Sequence, residues 1–207
     1  MTADKKTEFA SRLRNGDYLT APGVFDLISA RIADRMGFPA LYMTGYGVVA
    51  SSFGLPDAGL ASYTEMVDRV KTIAAGTLTP LIADGDTGYG GLLNVQRTVR
   101  GYEQAGAVAI QLEDQKIPKK CGHTPNRRVI PVDDMVAKIR VAVAARESEN
   151  FLVIARTDAR TQYGLAEAIG RGQAFAKAGA DVVFVEAPES VDEMIEICRE
   201  IDGPLMA

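Results

Sequence analysis

The chain has no apolar run approaching the roughly 20 residues that a membrane helix needs. Its opening, MTADKKTEFASRLRNGDYL, lacks the apolar centre of a secretory signal. Both absences point to a soluble cytoplasmic protein with no membrane partner. Cysteine is scarce: only Cys121 and Cys198 occur, in very different contexts, which excludes a disulfide scaffold. Positive charge is not in excess either. The 23 Lys and Arg against 27 Asp and Glu leave a net charge of −4, whereas nucleic-acid binders display concentrated positive charge. No G-x-G-x-x-G follows the first apolar strand, which argues against a dinucleotide-binding sheet. A small anionic ligand stays compatible with all of this, since one pocket can be basic on an acidic protein.

What is present is ordinary globular composition, 47% hydrophobic and 24% charged over 207 residues, which suits a single domain spanning 1–207. Short β-rich runs recur: YLTAPGV near residue 20, ALYMTG at 40, LIADGD at 81, AIQLED at 109, LVIARTD at 152, VVFVEA at 182 and PLMA at the end. Helical periodicity fills most of the gaps, clearest at 64–75, where Met66, Val67, Val70, Ile73 and Ala74 share one face, and again at 133–145 and 191–201. Strands alternating with helices predict parallel β-α units under helices on the outside. Two segments, QAGAVAIQLED (104–114) and KAGADVVFVEA (177–187), share A-G-A, an apolar strand and a glutamate. An internal repeat of one β-α unit favours a (β/α)8 TIM-type barrel over a doubly wound sheet. The last run is only the seventh strand, so the domain is expected to be C-terminally incomplete, truncated in strand 7.

A barrel gives the stretch LIADGDTGYGG a meaning. Active sites of β/α barrels lie at the carboxyl ends of the strands, and residues two apart on a strand share one side. Asp84 and Asp86 therefore both point into that mouth, and Glu113, Asp114, Arg156, Asp158 and Glu186 also fall at strand ends. Most loop carboxylates merely solubilise; recurrence at the same end of four strands argues for more. Clustered acids repel one another unless a cation sits among them, and hard oxygen donors select Mg²⁺, Mn²⁺ or Ca²⁺.

The longest gaps follow ALYMTG and AIQLED, and long barrel loops tend to be functional. The second holds KKCGHTPNRR, residues 119–128, with the chain's one histidine, His123. Basic neighbours favour the thiolate of Cys121 and make it a usable acid or base. A zinc site is the poorer alternative, because no second Cys-His pair exists. Cys198, inside the apolar-periodic DEMIEICREI, is expected in the core.

Together KKCGH, DGDTGYG, QLEDQ, GLPD and ARTDA, kept in order from about residue 10 to the end, are similar to the isocitrate lyase and phosphoenolpyruvate mutase superfamily. Within it the sequence most resembles the short 2-methylisocitrate lyase and 2,3-dimethylmalate lyase type. The resemblance implies a Mg²⁺-dependent barrel, with Mn²⁺ as a possible substitute, that cleaves a carbon–carbon bond in a small di- or tricarboxylate, and a homotetramer. It implies that Asp84 binds the metal directly while Asp57, Asp86 and Glu113 hold its waters. Tyr42, Thr44, Gly45 and Gly47 match the segment that binds the keto-acid carboxylate. Lys119, Cys121, Gly122 and His123 match a mobile catalytic loop, and Arg156 and Glu186 match further site positions. In the cleavage so implied Cys121 protonates the carbanionic carbon, and Tyr42 is one candidate for taking the hydroxyl proton. Tyr46 departs from the family pattern, which commonly has a small residue there, and is expected to narrow the pocket. The rival readings are oxaloacetate decarboxylation or hydrolysis, or phosphonate carbon–phosphorus chemistry, on the same fold, and a non-catalytic barrel kept for assembly.

Overall fold

The computed structural model describes residues 3–122 and 124–207. Each of the seven apolar runs contains one strand: β1 (Gly23–Val24), β2 (Leu41–Met43), β3 (Leu81–Asp84), β4 (Ala109–Glu113), β5 (Leu152–Thr157), β6 (Val182–Val185) and β7 (Leu205–Met206). They form one all-parallel sheet whose spatial order is the sequence order. Every strand is added to the same growing edge, which curls the sheet into a barrel wall. Helix α1 (Ala3–Arg14) precedes the sheet. The crossovers carry α2 (Leu27–Arg35), then α3 (Gly45–Phe53) and α4 (Tyr63–Gly76), α5 (Leu92–Gln104), α6 (Val132–Ala145), α7 (Arg160–Tyr163) and α8 (Leu165–Lys177), and α9 (Val191–Glu200). None of the described helices is long and apolar enough to cross a membrane.

The period of two along each strand divides the core. Ile110, Leu112, Val153 and Val183 face outward and pack with Met66, Ile73, Val99, Ile139 and Phe175 of the helices in one cluster. Ile82, Ala109, Leu152, Ile154 and Val182 face inward in a second cluster, which Phe9 and Ala10 of α1 close from below. Each large side chain so buried contributes roughly 1.5–3 kcal/mol. The inner face also borders a cavity of about 650 Å³ between β1 and β7, lined by Leu13, Leu19, Ile82, Leu205 and Met206 among others. Its walls are mainly apolar and it lies away from the strand-end acids. It is a gap in the inner core, not the reaction site.

The internal repeat has a backbone cause. Gly106 after α5 and Gly179 after α8 both take φ +101°, the left-handed region that ends a helix and turns the chain into the next strand. One expectation fails here. Cys198 is exposed, not core. Only Ile197 of α9 is buried, and Val191, Met194 and Ile195 are likewise open to solvent. The apolar period of 191–201 does form a helix, but that helix meets the sheet along a narrow line.

Candidate active site

Asp84 ends β3, and its carboxylate is held from two sides: Oδ1 accepts from the amide of Asp86 at 2.9 Å and Oδ2 from the amide of Gly45 at 3.1 Å. Gly45 opens α3 and must be glycine, since a Cβ there would lie 2.7 Å from Asp84 Oδ2. Thr44 caps the same helix by accepting from Gly47 N–H at 3.1 Å, and a Cβ on Gly47 would meet Phe25 at 2.7 Å. The amides of Gly45 and Gly47 are thus already engaged. Asp86 sits at φ +50°, a left-handed conformation that Asp tolerates better than most residues. Gly85 donates to Gln111 O and Glu113 to Asp86 O, which prolongs the β3–β4 ladder and sets Asp86 beside Glu113. Paired acids at the end of this strand are therefore positioned by backbone, not left to a free loop.

Below them lies a polar floor. Tyr42 donates its hydroxyl to Gln111 Oε1 at 2.7 Å. Burial first, then the nearby Asp84, raises the Tyr42 pKa well above the ordinary phenol value. It is a neutral donor.

The segment after β4 returns as a short ribbon. Gln115 bridges Val129 in antiparallel fashion, and Lys116 N–H donates to Arg128 O at 2.7 Å. The Gln115 side chain then clamps Lys120, accepting from its amide at 2.9 Å and donating to its carbonyl at 2.8 Å. So fixed, Lys119 reaches into the acids: Nζ lies 2.6 Å from Asp57 Oδ1 and pairs also with Asp86 Oδ1. Cys121 is half-buried at the tip. Gly122 sits against the far wall, where a Cβ would meet Arg156 Nη2 at 2.5 Å and Glu186 Oε1 at 2.7 Å. His123 lies outside the described residues. Tyr46, on α3, is exposed.

Arg156 completes the wall. Nε and Nη2 donate to the two oxygens of Asp158 at 3.0 and 2.9 Å, Nη2 is 3.4 Å from Glu186 Oε2, and Nε is 3.7 Å from Glu113 Oε2. Its guanidinium carbon stands 5.3 Å from the centre of the Phe184 ring. The structure thus gathers Asp57, Asp84, Asp86, Glu113, Lys119, Gly122, Arg156 and Glu186 at one end of the sheet. Asp114 takes no part in the mouth. It accepts from Thr157 Oγ1, the Asp158 amide and Arg171 Nη1, and so ties β4 to β5 and α8.

Charge is concentrated and dry. Burial pushes Asp86 up to about 6, against the lowering influence of Lys119, and holds Glu113 well above the carboxylate range despite Arg156 and Lys119. Burial opposes the charge of Lys119, but Asp86, Glu113 and Asp84 outweigh it and raise its pKa. Among the described residues no three His, Cys, Asp or Glu side chains converge as a ready cage for an ion. Magnesium does not require one, because it takes one or two carboxylates and keeps its waters. Glu113 Oε1 is buried without a hydrogen-bond partner, and Asp86 Oδ1 faces the Lys119 ammonium; hard oxygens of this kind fit Mg²⁺ or Mn²⁺.

Two contributors escaped the sequence reading. Gln111, a lone polar residue inside AIQLE, carries the Tyr42 hydroxyl; its position within an apolar strand was the available signal. Arg127 is buried, pairs with Asp158 and is bonded to Thr161. Nothing in its sequence context distinguishes it from Arg128.

A phosphoenolpyruvate phosphomutase family model matches residues 9–207. The 2,3-dimethylmalate lyase of Eubacterium barkeri is 48% identical over 206 residues, covering 100% of this chain and 70% of that protein. The 2-methylisocitrate lyase of Aeropyrum pernix is 45% identical over 92% of this chain, which spans 61% of that protein. Among solved structures, oxaloacetate acetylhydrolase bound to 3,3-difluorooxalacetate superposes with a TM-score of 0.92 at 38% identity, over 97% of this chain and 70% of that one. Phosphonopyruvate hydrolase in complex with oxalate and Mg²⁺ gives 0.87 at 33% identity, over the same shares of the two chains.

Proposed function

This chain belongs to the phosphoenolpyruvate mutase/isocitrate lyase superfamily, and from that premise we propose that it is a Mg²⁺-dependent carbon–carbon lyase. Its substrate is a 2,3-dimethylmalate- or 2-methylisocitrate-like hydroxy acid, cleaved to a keto acid of the pyruvate type and a carboxylate. The observation that carries this is the meeting of the KKCG segment with the acids: Lys119 on Asp57 and Asp86, Gly122 on Arg156 and Glu186. That contact brings a thiol to a mouth lined with carboxylates.

Asp84, with Asp57, Asp86 and Glu113 near it, would hold Mg²⁺, which when bound would supply Lewis-acid stabilisation of developing oxygen charge. The protein does the rest. Arg156 receives one of the substrate's carboxylates, and Thr44 borders the other at the α3 entrance, where the Gly45 and Gly47 amides are held by Asp84 and Thr44. Tyr42 is neutral and its one hydroxyl proton is committed to Gln111, so Glu113 Oε1, buried without a hydrogen-bond partner, is the acceptor for the substrate's hydroxyl proton. The bond between the hydroxyl carbon and its neighbour breaks, its electron pair stays on the neighbour, and the Cys121 thiol delivers a proton there. Lys119, held cationic by the acids, stabilises the thiolate left behind. The 115–130 ribbon keeps water from the carbanion.

A second reading, hydrolysis or decarboxylation of oxaloacetate, is favoured by the likeness to oxaloacetate acetylhydrolase. One assay separates them. The protein is incubated with Mg²⁺ and 2,3-dimethylmalate, 2-methylisocitrate, isocitrate or oxaloacetate, and keto-acid release or loss is followed. Turnover of a branched hydroxy acid with release of keto acid is expected; consumption of oxaloacetate alone replaces the lyase with the second reading.

A further inference from the structure

Asp158 lies at the end of β5, wholly out of solvent, and it serves two arginines from different parts of the chain. Its Oδ1 accepts from Arg156 Nη2 at 2.9 Å and is also 3.4 Å from Nε of Arg127. Arg127 belongs to the return leg of the 115–130 ribbon. Its own Nη2 is anchored on Thr161 Oγ1 at 2.7 Å, yet its buried Nε has no hydrogen-bond partner. At 3.4 Å this donor is ion-paired with Asp158 Oδ1 without a well-formed hydrogen bond, and a carboxylate oxygen can accept from both arginines.

We propose that Asp158 is a positioning residue whose shared Oδ1 couples the substrate-facing Arg156 to the loop that carries Cys121. One carboxylate thus holds both arginines at once: its two bonds aim the Arg156 fork, and its ion pair with Arg127 Nε ties down the return leg of the ribbon. Loss of either arginine leaves Asp158 free to shift toward the other, so a change on one side is felt on the other. Gly122 reports the same coupling from the other side, because it packs on that same Nη2. Neither Asp158 nor Arg127 touches the reacting atoms. The substrate-facing half rests on the function proposed above; the link from Arg127 to the loop does not.

The test is a double-mutant cycle read by binding and by hydrogen exchange, without turnover. The probe is oxalate with Mg²⁺. Affinity is measured by calorimetry for wild type, Arg127→Met, Arg156→Lys and the double variant, and amide exchange is followed at residues 116–122. Arg156→Lys keeps the charge but removes the fork that shares Oδ1. Arg127→Met is expected to weaken oxalate roughly tenfold in the wild-type background and less than about twofold beside Arg156→Lys, the non-additivity of groups sharing a partner. It should also speed exchange at 116–122. Equal losses in both backgrounds, or no loss in the first, overturns the coupling. Should wild type fail to bind oxalate, the substrate reading is what fails, and exchange alone decides here: Asp158→Asn must raise it to the Arg127→Met level, or, where Asp158→Asn does not fold, Arg127→Met must raise it above wild type. Exchange at the wild-type level sinks the proposal.

Discussion

Lys119 Nζ lies 2.6 Å from Asp57 Oδ1, with the two side chains only 4% and 9% exposed. A lysine from one crossover is therefore the counter-ion of an aspartate from another, inside a cluster that burial has already made unfavourable for charge. Replacing it with an uncharged isostere leaves Asp57 and Asp86 facing each other unneutralised. Lys119→Met should release the ribbon and reduce turnover about 100-fold or more, as expected when a group placed at the reacting centre is lost. Limited proteolysis across residues 116–122 together with steady-state rates checks this; an unchanged cleavage pattern would count against the latch.

Gly122 offers a sharper steric test. One methyl group there meets Arg156 and Glu186 at sub-van-der-Waals distance. Gly122→Ala should keep its melting temperature within a few degrees, since the site is at a loop tip, while kcat falls roughly 100-fold through misplacement of Cys121. A wild-type kcat would show that the tip does not dock on Arg156 during turnover.

The metal assignment separates two aspartates. Asp84→Ala should abolish Mg²⁺-dependent activity and binding, while Asp57→Ala weakens them by roughly 10–100-fold, the usual cost of losing an outer partner. Titration of Mn²⁺ by its paramagnetic signal in each variant decides the order, and full activity in excess chelator would remove the metal from the account.

Stability at a distance from the site can be predicted from Asp34. Its Oδ1 accepts from the amides of Leu78 and Thr79 and from the Thr79 hydroxyl, at 3.0, 2.8 and 2.7 Å. Burial works to raise its pKa, but those bonds prevail and lower it below the ordinary value of 3.8. A lowered folded-state pKa means stabilisation that is present above the unfolded value, near 4, and lost as pH falls below it. Asp34→Ala should therefore cost about 1–2 kcal/mol at pH 7. The gap between variant and wild-type urea midpoints should shrink at pH 3; a constant gap would contradict the assignment.

The strands were legible because parallel strands covered on both faces must be apolar throughout, and each such run in this chain holds one. The strand ends located the acids, and Asp84, Asp86 and Glu113 do lie at one end of the sheet, but the period of two does not account for Asp86, which sits past β3 at φ +50° and is placed by the turn. What no spacing could tell is which neighbours share an atom. The Tyr42–Gln111 bond spans 69 residues, and the joint hold of Asp158 on Arg127 and Arg156 depends on how the ribbon folds back. Cys198 shows the same limit in reverse. Helical periodicity marks an apolar face, but whether anything covers that face is a tertiary matter, and here its sulfur-bearing side is open.

The central claim is that a thiol from the KKCG segment protonates the cleaved fragment. Cys121→Ser and Cys198→Ser, assayed side by side with Mg²⁺ on whichever hydroxy acid the wild type turns over best, test it directly. A hydroxyl is a far weaker acid than a thiol, so Cys121→Ser should bind substrate normally and lose about 100-fold or more in kcat, while Cys198→Ser, altered on an exposed helix face, runs at the wild-type rate. Near wild-type turnover by Cys121→Ser, or a larger loss in Cys198→Ser, would contradict the mechanism.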